Sequence, residues 1–275
     1  MRKGLWLLAA GALLGACAPR ITAEPLPGVR VNVPVQVPPP ASPPQPSQPA
    51  GQAQGGVTAP VIKVLPGNPL PPAGSAFVDD FSSYPTGAVL PMVAPDRYGV
   101  YKAPNGTLSP AVAETFTPQG GLDKALRLEA ANTAMLTTGA PDWTDYRVSF
   151  RFKYETGGTL DVGLFVHGSG DRMLIVRLGW GYTGGVHLIK VAGDQRFTLV
   201  SRRELKPLTE ALKDQNWHDF AAEARSDGTV RVMVDQQTVI EWKDPDYRAG
   251  GIGIGINRLG DRIIWHIDDL KVERP

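Results

Sequence analysis

The fold is decided by the stretch YRVSFRFKYE at residues 146–155. From Tyr146 to Tyr154 every second residue is aromatic or aliphatic, and the residues between them are Arg, Ser, Arg and Lys. Successive side chains of a β-strand point to opposite faces, so this pattern predicts a strand with one buried and one solvated face. A sheet built from such strands has a core on one side only.

Similar stretches follow along the chain, separated by Gly, Asp, Asn and Pro, which is typical of antiparallel strands joined by turns. We predict strands at residues 160–167, 173–180, 185–192, 197–201, 217–224, 230–235, 239–242, 251–257 and 263–272. In the first of these, Leu160, Val162, Leu164 and Val166 should face the core. Only residues 208–214, after Pro207, predict a helix, and it is short. Many strands with almost no helix predict an all-β sandwich or barrel.

The region before this domain has a different composition. Residues 18–75 contain sixteen prolines, with Gln, Ser, Ala and Gly among the rest. Such a segment buries too little apolar surface to fold and favours extended polyproline II. We therefore predict an anchor and disordered Pro-rich linker at residues 17–75 and one folded domain at residues 76–275.

The N-terminus carries an export signal. Arg2 and Lys3 precede an apolar run at residues 5–14, which is too short to span a bilayer. Leu14-Gly15-Ala16-Cys17 resembles the lipobox of bacterial lipoproteins. The resemblance implies a signal peptide at residues 1–16, diacylglycerol on Cys17 and an acylated new N-terminus, with palmitate as a typical acyl chain. It implies an extracytoplasmic protein anchored to the cell envelope, at the outer membrane if the source is diderm, because Ala18 rather than Asp follows.

Charge and cysteine content exclude other classes. The chain has 28 Lys and Arg against 27 Asp and Glu, so it lacks the basic surplus of a nucleic-acid-binding protein. Its single cysteine excludes an intrachain disulfide framework and a Cys-based zinc site.

Residues 77–272 resemble the concanavalin A-like lectin and glucanase superfamily, including its laminin-G-like and keto-disaccharide hydrolase-like members. The motifs that carry this resemblance, in order, are Asp79-Asp80-Phe81, Trp143-Thr144-Asp145-Tyr146, Val162-Gly163-Leu164-Phe165-Val166, Asn216-Trp217-His218, residues 230–235 and 250–255, and Ile267-Asp268-Asp269-Leu270. The resemblance implies a jelly roll of two antiparallel sheets with a ligand face on the concave sheet.

Strand parity places a set of polar residues on that face, with an aromatic residue and a second histidine near its edge. We predict as ligand-binding residues Arg151, Asp161, His167, Arg177, Trp180 and His187. Arg and His donors beside an aromatic platform suit sugar hydroxyls. The alternative is that Arg151 and Asp161 pair with each other on a solvated face.

Neither catalysis nor a metal is strongly indicated. Glucan hydrolases of the superfamily carry two acids in a Glu-x-Asp-x-Glu strand, and that pattern is absent; Glu155, Asp161 and Glu223 each lack a same-face acidic partner. We assign no catalytic residue. Several superfamily members join their first and last strands through calcium, which Asp80 and Asp268 would ligate here; the alternative is that these carboxylates cap a turn and accept buried hydrogen bonds.

Three functions are compatible with this sequence. The first is a lipid-anchored envelope module that binds carbohydrate without catalysis. The second is a glycan-active hydrolase of the keto-disaccharide type, and the third is a structural module that binds another envelope protein. All three share the membrane as partner through Cys17.

Overall fold

The computed structural model describes residues 69–117, 121–167 and 170–274, except the side chains of residues 183 and 259. The predicted signal peptide, Cys17 and most of the predicted linker lie outside the described residues. Leu70, within the predicted linker, packs against the core of the domain, six residues before the predicted domain start. In the described part of the chain, no helix is both long and apolar enough to cross a membrane.

Thirteen antiparallel strands make up almost all of the regular structure. They are β1 (Ala76–Asp79), β2 (Gly99–Lys102), β3 (Thr107–Phe116), β4 (Leu122–Thr138), β5 (Tyr146–Gly157), β6 (Leu160–Val166), β7 (Arg172–Gly179), β8 (Gly185–Ala192), β9 (Gln195–Arg202), β10 (His218–Ala224), β11 (Thr229–Val234), β12 (Gln237–Lys243) and β13 (Gly251–Glu273). The helices are α1 (Leu90–Val93) and α2 (Lys206–Ala211), the latter overlapping the predicted helix at 208–214.

Two sheets form because β4 and β13 are long enough to serve both. Sheet 1 contains β12, β11, β10, β5, the second half of β13, the first half of β4, and the edge strands β3 and β1. Sheet 2 contains β2, the second half of β4, the first half of β13, then β6, β7, β8 and β9. The pairing of β4 with β13 shifts register between Asn257 and Arg262, where the strands pass from one sheet to the other.

The inner faces of both sheets share one apolar core. On β5 the residues from Tyr146 to Phe152 alternate buried and half-buried, as the alternation at residues 146–155 predicts. Trp143, Phe165, Phe220 and Trp265 fill the same cluster. The predicted all-β class, a two-sheet antiparallel jelly-roll sandwich, is confirmed.

Two local predictions were wrong. Val166 does not face the core, because Phe165 adopts a left-handed backbone (φ 52°) and takes the inward position itself. Ladder pairing with β13 is irregular at the same point. Residues 251–257 and 263–272, predicted as separate strands, form the single strand β13.

Candidate functional site

A row of polar side chains crosses the outer face of sheet 2. Asp161 on β6 pairs in register with Arg177 on β7, Arg177 with His187 on β8, and His187 with Ser201 on β9. Because side chains alternate between faces, residues directly opposite one another on neighbouring strands point the same way. Three predicted ligand residues, Asp161, Arg177 and His187, are thereby brought together.

Asp161 holds Arg177 in a fixed orientation. Arg177 Nε and Nη2 each lie 2.8 Å from an oxygen of Asp161, whose side chain is fully buried. The backbone N–H of Asn257 also donates to Asp161 Oδ2 at 2.7 Å, and Arg177 Nη2 donates to the backbone carbonyl of Asn257 at 3.1 Å. Burial alone would lower the pKa of Arg177, but its hydrogen bonds to Asp161 and the charge of that carboxylate raise it. The guanidinium is therefore charged and oriented before any ligand arrives.

An open cavity of about 380 Å³ lies along this polar row. Its lining residues are Arg177, His187, Ile189, Thr198, Ser201 and Arg203. His187 Nδ1 lies 3.1 Å from the Ser201 hydroxyl. The cavity thus offers hydroxyl, imidazole and guanidinium groups beside one aliphatic surface.

A second apolar cluster lies beside the polar row on the same outer face. It contains Met135, Val166, Met173, Ile175, Ile189 and Val191, with Tyr101 packed against it. Glycines make room for the methionines: a Cβ on Gly253 would lie 3.4 Å from the Met135 sulfur, and a Cβ on Gly163 would lie 3.4 Å from that of Met173. The face is therefore partly lined by packed apolar side chains and does not resemble an ordinary solvated sheet surface.

Sheet 2 curls toward this outer face. Arg196 on β9 donates from Nη1 to the carbonyl of Asn257 on β13 at 2.7 Å, although four inter-strand steps separate the two strands. At about 4.8 Å a step, a flat sheet would hold them roughly 19 Å apart, well beyond the reach of an arginine. The β6–β7 hairpin also folds over the sheet, since a Cβ on Gly170 would meet the ring of Tyr101 on β2. The outer face of sheet 2 is the concave face.

Sequence reasoning missed Asn257, Arg196 and Arg203. The Asn257 side chain is fully buried, and its amide oxygen and nitrogen have no partner among the described residues. The sequence does single out Asn257, because it is the first polar residue after the apolar run IGIGI at residues 252–256. Arg196 precedes the predicted strand at 197–201, and Arg203 follows it, so strand parity did not include either one.

Trp180 is not on the concave face. Only 9% of the residue is exposed, and its ring centroid lies 5.3 Å from that of Trp265 and 6.1 Å from that of Tyr154 in the core. The position follows the last residue of β7, where strand parity no longer fixes the direction of a side chain. The exposed aromatic residue of this loop is Tyr182, which is 96% exposed.

His167 is separated from the polar row. It lies just beyond the end of β6, in the hairpin to β7, where its amide donates to the Arg172 carbonyl. Burial lowers its pKa, and the nearby charge of Arg172 acts in the same direction. Six residues along β6 place it about 20 Å from Asp161 at the usual strand rise.

Arg151 belongs to the opposite side of the sandwich. On the outer face of sheet 1 its Nη2 lies 2.7 Å from Asp268 Oδ2, and its Nε lies 2.7 Å from Asp269 Oδ2. Its guanidinium carbon also lies 5.3 Å from the ring centroid of Trp217. The alternative in which Arg151 pairs with Asp161 is wrong, because each residue has a partner on its own sheet.

A second cavity, of about 410 Å³, opens beside Arg151. Its polar lining includes Arg147, Asp219, Gln236 and Lys271, so it carries charges of both signs. Arg151 and Arg177 therefore serve different surfaces.

The carboxylates predicted to bind calcium have other partners. Asp80 accepts hydrogen bonds from the amide and hydroxyl of Ser82, and Asp268 pairs with Arg151. Among the residues that the structure describes, no group of three or more His, Cys, Asp or Glu side chains could hold a metal ion. The arrangement matches the alternative in which these carboxylates cap a turn and accept buried hydrogen bonds.

The three acids considered for hydrolysis are each paired with a cation. Asp161 pairs with Arg177, and Glu223 with Arg225. Glu155 binds Arg127 through both oxygens and also lies 3.0 Å from His266 Nε2. Hydrogen bonding to Arg127 lowers the pKa of Glu155. For Glu155 this shift favours the ionised form, which is unsuited to proton donation.

No protein-family model and no curated protein matches this sequence. Among solved structures, the carbohydrate-binding module CBM66 of Bacillus subtilis is 10% identical over 61% of this chain and 94% of that chain, with a TM-score of 0.43. Cellulose induced protein Cip1 is 14% identical over 72% and 97%, with a TM-score of 0.49. Domain 4 of AbnA, an extracellular arabinanase of Geobacillus stearothermophilus in complex with arabinotriose, is 14% identical over 69% and 91%, with a TM-score of 0.40.

Proposed function

We propose that this chain is a cell-envelope lipoprotein that presents a carbohydrate-binding β-sandwich on a Pro-rich stalk, without catalysis. The glycan binds in the concave face of sheet 2. The main observation in favour of this proposal is the cavity of about 380 Å³, where Asp161 orients Arg177 beside His187 and Ser201.

The chemistry of this cavity suits a sugar. Sugar hydroxyls both donate and accept hydrogen bonds, and the cavity supplies guanidinium donors and hydroxyl groups of Thr198 and Ser201. Ile189 offers an apolar surface for the C–H groups of a sugar ring. The volume falls in the range of small-ligand sites, which is about 300–1,000 Å³.

A glycan array probed with the full chain in detergent tests this proposal. Arg177→Ala should abolish binding, whereas Arg151→Ala should leave it unchanged, because Arg151 lies on the opposite face. The two arginines are a matched pair, since each is half-buried, lies on a strand and forms an ion pair. Binding to no glycan would overturn the proposal, as would loss of binding in Arg151→Ala alone.

A second variant covers the case in which Arg177→Ala does not fold. Thr198 is exposed on β9 and lines the cavity. Thr198→Trp would fill the cavity while Asp161 and Arg177 both remain in place to form their ion pair. It should abolish binding while the unfolding midpoint stays unchanged; full binding by this variant would place the glycan elsewhere.

The anchor is a separate part of the proposal, and it rests on the lipobox at residues 14–17. In bacteria supplied with radiolabelled palmitate, the full chain should take up label and remain in the membrane fraction after a carbonate wash. Cys17→Ser should lose both properties, because several acyl chains are needed for stable anchoring. Label retained in Cys17→Ser would overturn lipidation at this residue.

A further inference from the structure

The concave face holds two like charges unusually close together. Arg177 Nη2 and Arg196 Nη1 donate to the same oxygen, the carbonyl of Asn257, at 3.1 and 2.7 Å. The two guanidinium nitrogens are therefore within about 6 Å of each other, a separation at which like charges repel. Among the described residues, the carboxylate that forms an ion pair with either arginine is that of Asp161, and it binds Arg177.

A third cation lines the cavity beside Arg177, whereas Arg196 reaches the region through the Asn257 carbonyl. Arg203 lines the cavity, is exposed, and forms no ion pair with any carboxylate in the described residues. Arg196, likewise exposed, has no carboxylate partner in the described part of the chain either. Of these three arginines only Arg177 pairs with a carboxylate, that of Asp161. Asp261, whose charge also acts on Arg177, pairs with Arg258, so the site carries a surplus of positive charge.

The geometry of Arg177 leaves donors for an anion. Of its five N–H groups, the Nε group and both Nη2 groups are used by Asp161 and the Asn257 carbonyl. The two Nη1 hydrogens have no partner among the described residues, and the side chain lines the cavity. An arginine fixed on one edge and unpartnered at another is suited to bind a carboxylate.

A buried polar group lies beside these cations. Both amide atoms of Asn257 are buried without a described partner, and its main chain contacts Asp161, Arg177 and Arg196. An unsatisfied buried amide is unfavourable until it is hydrogen-bonded. Asn257 thus connects Asp161 with both arginines through its main chain.

We infer that the glycan bound at the concave face is acidic, and that its recognised group is the carboxylate of a uronic acid. This inference rests on the proposed carbohydrate-binding function and specifies its ligand. The carboxylate lies against Arg177 Nη1 and is shared with Arg203 and Arg196. Its negative charge relieves the repulsion between Arg177 and Arg196, while sugar hydroxyls contact Thr198 and Ser201.

The test compares the affinity of the protein for each acidic oligosaccharide with its affinity for the corresponding neutral oligosaccharide. Oligomers of galacturonate, mannuronate and guluronate are titrated into the full chain in detergent by calorimetry, each beside the same oligomer with its carboxylates reduced to primary alcohols. We expect at least tenfold tighter binding of one acidic oligomer than of its reduced form. That preference should weaken as salt is raised, because the interaction between charges is screened.

Substitutions of single arginines test which side chains cause the preference for the acidic oligomer. Arg203→Gln and Arg196→Gln should each reduce the affinity for the acidic oligomer about tenfold and leave that for its reduced form unchanged. Arg231→Gln is the matched control: it removes one exposed arginine from sheet 1, where Arg231 pairs with Glu241, and should change neither affinity. Equal effects of Arg203→Gln and Arg231→Gln would overturn the assignment, since they would reflect net charge alone.

The outcomes separate this inference from the proposed function. Equal binding of acidic and reduced oligomers, or binding of neutral glycans alone, would overturn the acidic ligand and leave carbohydrate binding standing. Equal binding of polyglutamate would also overturn it, because that polymer carries carboxylates but no sugar. Binding of no glycan, acidic or neutral, would overturn both.

Discussion

The guanidinium of Arg177 and the carboxylate of Asp161 meet edge to edge, with both nitrogen–oxygen distances at 2.8 Å and the carboxylate fully buried. Breaking such a pair by changing one partner leaves a buried charge without compensation, at a cost of about 3–5 kcal/mol. The pair therefore contributes to the fold as well as to the site.

Asp161→Asn should lower the free energy of unfolding by about 3–5 kcal/mol, measured by urea unfolding of the full chain. Asp227→Asn is the control, because Asp227 pairs with Lys243 at an exposed turn, and it should not shift the midpoint. Equal shifts in the two variants would contradict the special role of the buried pair.

Trp180→Ala should destabilise the protein by about 3–5 kcal/mol, since it empties a core site between Tyr154 and Trp265. Tyr182→Ala, two residues along the same loop, removes an exposed ring and should leave thermal stability unchanged. If Trp180→Phe weakened glycan binding without loss of stability, Trp180 would be a ligand platform after all.

Asp268 should make stability depend on pH. Burial raises its pKa to about 6 although Arg151 lies 2.7 Å away. Because the folded state then holds this proton more tightly than the unfolded state, stability decreases as pH rises from about 4 to 6. Asp268→Asn lacks this ionisation, so its stability relative to the wild type should improve across that interval.

Urea unfolding of both proteins at pH 4.5, 5.5 and 7.5 measures this difference. A wild type that gains stability over Asp268→Asn with rising pH would show instead that the ion pair with Arg151 outweighs burial.

Gly228→Ala should be more harmful than Gly193→Ala, although both glycines have left-handed backbones, with φ of 85° and 64°. A Cβ on Gly228 would lie 1.8 Å from the Asp244 carbonyl oxygen, whereas one on Gly193 would meet nothing within 4 Å. Gly193→Ala should cost about 1–2 kcal/mol from backbone strain alone. Similar thermal midpoints for the two variants would rule out the steric conflict.

Strand alternation predicted which residues of β5, β6 and β7 face outward, but it could not assign a strand to a sheet. Arg151 and Arg177 share the same parity, yet they lie on opposite sides of the sandwich. The strand of Arg151, β5, pairs with the second half of β13, whereas that of Arg177, β7, pairs with β6, which lies beside the first half of β13. Pairing between distant strands depends on the whole topology, and parity within one strand contains no information about it.

The clustering of Arg196 with Asn257 also had no sequence signal. Sixty-one residues separate them, and they meet only because sheet 2 curls. The inward position of Phe165 likewise depends on one left-handed residue, a conformation that non-glycine residues adopt rarely and that apolar periodicity does not indicate.

The long strand β13 has a consequence for the order of folding during synthesis. It pairs with β1, β4, β5 and β6, so both sheets lack a central member until residues 251–273 have left the ribosome. A nascent chain that stops short of these residues has no complete core to collapse around. Such late closure delays folding until most of the domain has been synthesised, which is compatible with the export that we propose for this chain.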